Sequence, residues 1–405
     1  MKILMLTLYL PYPPNSGGQI RSYNLIKHLS KKHEITLVSF IKKGEEKYAS
    51  EMKKYCKEVI FFYRSEKPFN FRNILRTGFS FYPFLVMRNL SSEAQIFLAE
   101  KLKQEKFDVI HVETFYLRPH IPANTSVPVV LVDQTIEYAV YQHYVQNLKW
   151  WFLKPFFYID VIKLKYWETR FWKEAKKVIA VSEADKKTMQ KSVPGLNVDI
   201  IPNAPGDDLA NLYNVEKKLT VKNPLIFYQS NFLWMQNVEG AVFLAKKVFP
   251  LIKKVYPAAR CRIIGQNART NAHMKVNELE SEGVEVIEQD KSDVKAVIKS
   301  YDEGTIFVAP LHGPGGTRLK ILGAMSAGVP VVTTGIGASG LEITDGQDIL
   351  IGETPKEIAD LVLKLIKDKK LFKKIVENAK SLIREKYDWK VIAEDLGKIY
   401  ENAKA

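Results

Sequence analysis

The stretch TIFVAPLHGPGGTRLKILGAMSAGVPVVTT, residues 305–334, decides how this chain folds. "TIFVAP" (305–310) is a short apolar run without alternation, the pattern of a strand buried on both faces. The turn "LHGPGG" follows, and helical periodicity begins near Thr317. A further glycine then leads into "VPVVTT" (329–334), a second β-branched run. Strand, glycine turn, helix and strand together read as a βαβ unit with parallel strands. Such a turn aims backbone N–H groups and the positive end of a helix macrodipole at one point. Arg318 and Lys320 stand in the first turns of that helix, so an anion is the expected ligand. A Walker loop is excluded, because G-x-x-x-x-G-K-[ST] is absent.

The same alternation extends outward in both directions. In the first half the runs are 3–10, 35–40, 108–112, 129–133 and 178–182; in the second they are 225–230, 260–265, 285–289, 305–310, 329–334 and 348–352. Helical periodicity lies between them, for example over 19–31 and 238–254. Eleven strands exceed one compact open sheet. The chain is therefore expected to be α/β, with two Rossmann-like, doubly wound parallel-sheet domains facing each other across a cleft. The irregular stretch "KSVPGLNVDIIPNAPGDDLANLYN" (191–214) is the natural seam. Ligands in such sheets sit beyond the carboxyl ends of the strands.

Composition agrees with this. A chain of 405 residues exceeds one ordinary core. Two cysteines, Cys56 and Cys261, far apart and in no ligand spacing, exclude a disulfide framework or a cysteine zinc site and suit a reducing cytosol. Sixty basic against 45 acidic residues give a net charge of +15, which fits an anionic substrate, nucleic acid, an anionic membrane or a lysine-rich surface. No run approaches the roughly 18 apolar residues of a spanning helix. The opening "MKILMLTLYLPYPPNSGG" lacks a small-x-small cleavage pattern and reads as a first strand. A cytoplasmic protein with at most peripheral membrane contact is expected.

Further segments carry chemistry. "PYPPNSGGQIR" (11–21) joins the first strand to the first helix, and Gly17 and Gly18 let a ligand approach the backbone. It is not the G-x-G-x-x-G dinucleotide fingerprint, and no ribose-binding acid follows the second strand, which argues against an NAD enzyme. "FNFRNILRTGFSFYPFLVMRNL" (69–90) and "LKWWFLKPFFYIDVIKLKYWETRFWK" (148–173) interleave aromatics with Lys and Arg. They are expected either to dock on an anionic membrane surface, with Trp150, Trp151 and Trp167 at the rim, or to bury against each other. His111 reads as a core residue. Ser182 with Asp185 reads as a helix capping box.

These segments, with "VSEADKKTM", "IPN", "NFLWMQNVEGA", "VFPLIKKVYP" and "RIIGQN" in the same order, resemble the family-4 retaining glycosyltransferases of the GT-B fold. The closing "YDWKVIAEDLGKIYENA" resembles that family's final helix, which returns to the N-terminal domain. The resemblance implies an N-terminal acceptor domain over 1–195, a C-terminal nucleotide-sugar domain over 196–385, and the returning helix over 386–405. It implies a metal-independent, retaining transferase without a cofactor. The donor is a nucleotide-diphosphate sugar, and the acceptor a glycan or lipid-linked molecule in surface polysaccharide or glycolipid synthesis. Arg318 and Lys320, with the amides near Gly316 and Thr317, would hold the diphosphate. Gly17, Gly18, Ser230, Asn231, Gly265, Gln266, Ile287, His312, Gly315 and Leu319 would line the donor. Tyr12, Arg21 and Glu137 would face the acceptor, and no nucleic-acid partner is implied.

Two departures stand out. The family's paired glutamates, spaced E-x7-E, are replaced by Gly315 and Gly323. Gly323 stands inside a helix, where it serves either close packing or ligand approach. The family's cleft histidine is matched by Gln134, which hydrogen-bonds but does not titrate. These departures leave a non-catalytic nucleotide-sugar-binding homologue as the alternative, with a GT-B nucleotide-sugar epimerase as a further one.

Overall fold

A computed structural model of the chain describes residues 1–64, 71–146, 148, 151–212, 218–219, 222–270, 276–290, 293–313 and 318–404. The chain divides into two compact units: Met1–Pro202 with Ile392–Ala405, and Asn203–Val391.

Unit 1 holds β1 (Lys2–Thr7), β2 (Glu34–Ile41), β3 (Glu58–Tyr63), β4 (Val109–Glu113), β5 (Val129–Asp133), β6 (Lys177–Ala180) and β7 (Val198–Ile200). They form one sheet in the order β3-β2-β1-β4-β5-β6-β7, parallel throughout. Ile3 pairs with Ile35 on one side and Val109 on the other. Ile3 to Leu6 are fully buried, because helices cover both faces of a parallel sheet and a polar side chain there would lose its water.

Unit 2 repeats the plan. Its sheet runs β10 (Val284–Glu288), β9 (Arg260–Gln266), β8 (Leu225–Asn231), β11 (Ile306–Ala309), β12 (Val331–Thr333), β13 (Leu350–Ile351), again parallel. Each sheet reverses direction once, between β1 and β4 in unit 1 and between β8 and β11 in unit 2. At such a switch point the loops after the two strands part and leave a crevice.

The structure adds two strands to the eleven read from sequence. β3 is an edge strand with only Phe62 buried in it, so its pattern is not continuously apolar. β7 has three residues and lies inside the stretch read as the seam, which moves the end of the first segment from 195 to Pro202. Unit 2 extends to Val391 rather than 385, so unit 1 regains the chain at Ile392, within the final helix Trp389–Lys404. The helix expected at 238–254 spans Met235–Val255 and widens into a π turn at Leu244–Val248, just before Pro250, which has no N–H to give the helix ladder. Ser182 makes half of a capping box. Its hydroxyl accepts the Asp185 N–H at 3.1 Å and donates to that carboxylate, with no return bond from Asp185 to the Ser182 N–H.

The two basic-aromatic segments pack on each other, as one of the two expectations has it, and also leave an apolar face exposed. The Lys163 amine donates to the carbonyls of Thr77 and Ser80, the Trp167 indole donates to the carbonyl of Phe81, and Tyr82 packs on Trp167 with ring centroids 4.4 Å apart. The helix Lys154–Glu174 buries Val161, Leu164, Phe171 and Trp172 inward. Its opposite side is also apolar: Phe156, Ile159, Ile162 and Tyr166 follow one another at helical spacing and face solvent, beside Phe79 (93% exposed) and Phe81 (89%). Trp151 is exposed too, whereas Trp150 lies outside the described residues. Among the described residues no helix is long and apolar enough to cross a membrane.

Candidate functional site

In unit 2 the polar groups gather at the switch point. β8 ends in Ser230 and Asn231, and the chain after β11 leads through Gly313 to the helix Leu319–Ser326. The Lys320 amine donates to Asn237 Oδ1 at 2.6 Å, Ser230 Oγ at 2.7 Å and the Tyr228 hydroxyl at 3.3 Å, and lies 5.2 Å from the Tyr228 ring centre. Burial, and then the neighbouring Arg318 charge, lower its pKa to about 7. Arg318 is itself buried; one terminal nitrogen donates to the Gly313 carbonyl at 2.8 Å, and its Nε is enclosed without a partner. Among the described residues neither cation has a carboxylate within ion-pair distance. Arg318 is also the helix N-cap and makes no side-chain capping bond, so the positive helix end is uncompensated there.

β9 completes the edge. Gly265 has φ +152°, and a Cβ on it would fall 1.7 Å from the Ser230 carbonyl oxygen, so glycine is required for β8 and β9 to approach. Asn231 accepts from the Asn267 amide at 2.8 Å and donates to Gln266 Oε1 at 3.2 Å. Glu288, at the end of β10, accepts the N–H groups of Asn267, Arg269 and Thr270, which fixes the loop after β9. Ile287 is partly buried opposite Ile264, and Leu319 opens the helix. His312 is exposed, with its ring 4.6 Å from that of Phe243. Gly315, Gly316 and Thr317 lie outside the described residues. At Gly323 a Cβ would meet Leu209 Cδ1 at 3.1 Å and the Tyr301 hydroxyl at 3.2 Å, so this glycine serves close packing.

In unit 1 the switch point carries a second network. Glu113 ends β4 fully enclosed; burial alone would raise its pKa, but Arg21 and His111 outweigh that and hold it at about 2. It accepts from Arg21 Nε at 3.2 Å and Gln134 Nε2 at 2.6 Å, and bonds His111 Nε2 at 2.9 Å. The Tyr400 hydroxyl bonds the other His111 ring nitrogen at 2.7 Å. Gly18, in the first turn of the helix Gly17–Leu29, faces Gln134: a Cβ there would reach its Oε1 at 3.4 Å. Gly18 and Gln134, read separately from sequence, thus share one site. Tyr12 packs against Tyr23 and Tyr48.

Arg21 corrects the sequence reading. It is inaccessible, bonded to Glu113 and to the carbonyls of Ile201 and Pro202, and so braces the fold instead of facing an acceptor. Glu137 is partly buried, its carboxyl raised by burial to about 7 against the pull of Arg88. Its backbone N–H and that of Tyr138 are taken by the buried Glu168. Sequence reasoning missed Tyr228 and Asn237 as Lys320 partners, because a strand tyrosine and an asparagine in the first turn of a helix carry no ligand signal by themselves. The signal for Glu113 was a carboxylate closing the apolar run "DVIHVE". Among the described residues no three His, Cys, Asp or Glu side chains cluster as a metal site.

Comparison with known proteins identifies the family and the fold. Residues 15–204 fit the family described as Glycosyltransferase Family 4, and residues 223–368 fit Glycosyl transferases group 1. The chain belongs to the family-4, group 1 glycosyltransferases. It is 22% identical over 404 residues to an uncharacterized 44.6 kDa protein in the cps region of Klebsiella pneumoniae, covering 96% of this chain and 97% of that one. Among solved structures it resembles sucrose-phosphate synthase of Thermosynechococcus elongatus (TM-score 0.71, 14% identity, 99% and 98% of the two chains). It also resembles the Anabaena HepE protein solved with UDP and glucose (TM-score 0.65, 14% identity, 99% of each chain). These likenesses establish the GT-B fold for this glycosyltransferase-family chain.

Proposed function

We propose that this protein transfers a sugar, with retention at the anomeric carbon and without a metal, from a nucleoside-diphosphate sugar to a glycan or lipid-linked acceptor. Unit 2 takes the donor and unit 1 the acceptor. The observation that carries this reading is the Arg318–Lys320 pair, two enclosed cations that among the described residues have no carboxylate partner, at the carboxyl edge of a parallel sheet. A departing diphosphate is the anion that such a pair suits. As the bond from the anomeric carbon to the phosphate oxygen breaks, charge grows on that oxygen, and Lys320 and Arg318 offset it. The acceptor hydroxyl attacks from the same face, and its proton passes to the released phosphate. Gln134, anchored by Glu113 beneath Gly18, would hydrogen-bond the sugar or acceptor and need not titrate.

The Anabaena protein's complexes with UDP and with UDP-glucose support a nucleotide-sugar donor, and the Klebsiella relative's location supports surface polysaccharide synthesis. The exposed aromatic face of unit 1 supports action at the inner, anionic surface of a membrane. Packing at Gly323 favours a second reading, a nucleotide-sugar-binding protein that does not turn over, because the position of a ribose-binding carboxylate is closed by Tyr301 and Leu209. Screening nucleotide sugars by thermal shift, followed by product analysis with the best donor, separates the two. Product with the donor's anomeric configuration supports the transferase, and a stabilising donor without product supports the binding protein.

A further inference from the structure

Unit 1 contains a cavity of about 310 Å³ that the donor and acceptor residues above do not use. Arg64, Arg76 and Arg88 line it together with Asn73, Asn89 and Ser91. It lies at the carboxyl edge of the sheet: Phe40 and Tyr63, also in its wall, stand at the ends of β2 and β3. The Arg64 guanidinium lies over the ring of Tyr9, just past β1, at 4.5 Å. Its Nε is enclosed and unpartnered. No described residue lining the cavity is acidic, and among the described residues none of the three arginines has a carboxylate within ion-pair distance. Glu137 feels the charge of Arg88 but does not line the cavity, and three guanidiniums around one space with no acid in its wall favour an anion there.

The helix Phe71–Gly78 says what kind of anion. Asn73 and Arg76, three residues apart, line the cavity. Phe71, Ile74 and Leu75 of the same helix, with Phe79 and Phe81 beyond it, are exposed to solvent. A wholly soluble phosphate ester has no use for an apolar wall beside its charge. An amphiphile with an anionic head and a hydrocarbon tail uses both.

We propose that this cavity binds the diphosphate of a lipid-linked acceptor, with the lipid leaving along the exposed face of Phe71–Phe81. The inference rests on the reading of unit 1 as the acceptor unit and names the acceptor's class. Arg64, Arg76 and Arg88 offset the diphosphate charge, and Asn73, Asn89 and Ser91 supply hydrogen bonds around it.

The test is calorimetric binding to the full-length protein with UDP present throughout, so that the Arg318–Lys320 pair is occupied. The probes are farnesyl diphosphate, farnesol and inorganic pyrophosphate. Farnesyl diphosphate is expected to bind at least tenfold more tightly than either of the others. Arg76→Gln with Arg88→Gln should weaken it at least tenfold, while Arg76→Lys with Arg88→Lys retains most of the affinity, and neither pair should change UDP affinity. Unchanged farnesyl diphosphate affinity in the glutamine pair overturns the proposal. So does farnesol binding as tightly as its diphosphate, which marks an apolar surface alone, or pyrophosphate binding equally well, which marks a free-anion site. Any of these results leaves UDP binding and transfer to a non-lipid acceptor intact, so the transferase reading is judged separately.

Discussion

Lys320 sits at the centre of the proposed donor site, and its titration tests that proposal. Its amine is surrounded by three neutral oxygens and one cation, and a pKa near 7 leaves it about half charged in the free protein at neutral pH. A bound diphosphate favours the charged form, so binding must take up a proton wherever the free amine is neutral. UDP affinity is therefore expected to fall about tenfold per pH unit above 7, until the pKa of the bound state is reached. Calorimetry across pH 6.5–9 measures this. Lys320→Met should lower affinity roughly ten- to a hundredfold at pH 7, the scale of a charge-assisted bond, and flatten the pH profile. A slope that persists in the variant would locate the proton elsewhere. Ser230 and Gly265 were legible in the sequence because each closes an apolar run at a strand end, and Lys320 because it opens the helix after a glycine turn. Their geometry was not: the 1.7 Å clash that makes Gly265 obligatory depends on how β8 meets β9. Nor was the unit 1 network of Arg21, Glu113, His111 and Tyr400, in which the bonded pair His111–Tyr400 is 289 residues apart.

At the scale of elements, strands buried on both faces declared themselves, and weakly buried ones did not. Leu225–Gln229 is apolar enough to be read directly, whereas β3 and the three-residue β7 are edge strands with little to distinguish them from loop. Strand order lay beyond the sequence, and with it the fact that both candidate sites occupy switch points. The helix Leu319–Ser326 offers a test of its glycine. Gly323→Ala gains helix propensity worth up to about 1 kcal/mol but presses on Leu209 and Tyr301, and overpacking costs about 1–3 kcal/mol. A net loss of about 1 kcal/mol in denaturant unfolding of unit 2 is expected. A gain in stability would show that the neighbours yield easily and that packing does not demand the glycine.

At the scale of the whole molecule, the exposed aromatic face predicts membrane binding. Segments 69–90 and 148–173 carry nine Lys and Arg against two acids. Those two acids are turned inward: Asp160 accepts the Phe84 N–H, and Glu168 is buried under the helix Glu137–Gln146. Each basic residue near an anionic bilayer contributes about 1 kcal/mol, within a screening length of about 8 Å. Cosedimentation with anionic vesicles should be salt-sensitive, exceed that with neutral vesicles, and drop when Phe79, Phe81 and Phe156 become Ser. Equal binding to both vesicle types, or none, would rule the bilayer out. A second expectation concerns the chain's return to unit 1. Tyr400→Phe removes the partner of a buried His111 nitrogen and should cost unit 1 about 1–3 kcal/mol, leaving UDP binding by unit 2 unchanged. That bond also sets a schedule for protein synthesis. A ribosome delivers β1 to β7 early, yet the imidazole at the centre of their sheet waits for a hydroxyl made 289 residues after it. Unit 2 ends at Val391, ahead of Tyr400, so it can close while the unit begun first still lacks that hydroxyl. The nascent chain is thus expected to acquire nucleotide affinity before its amino-terminal unit resists proteolysis.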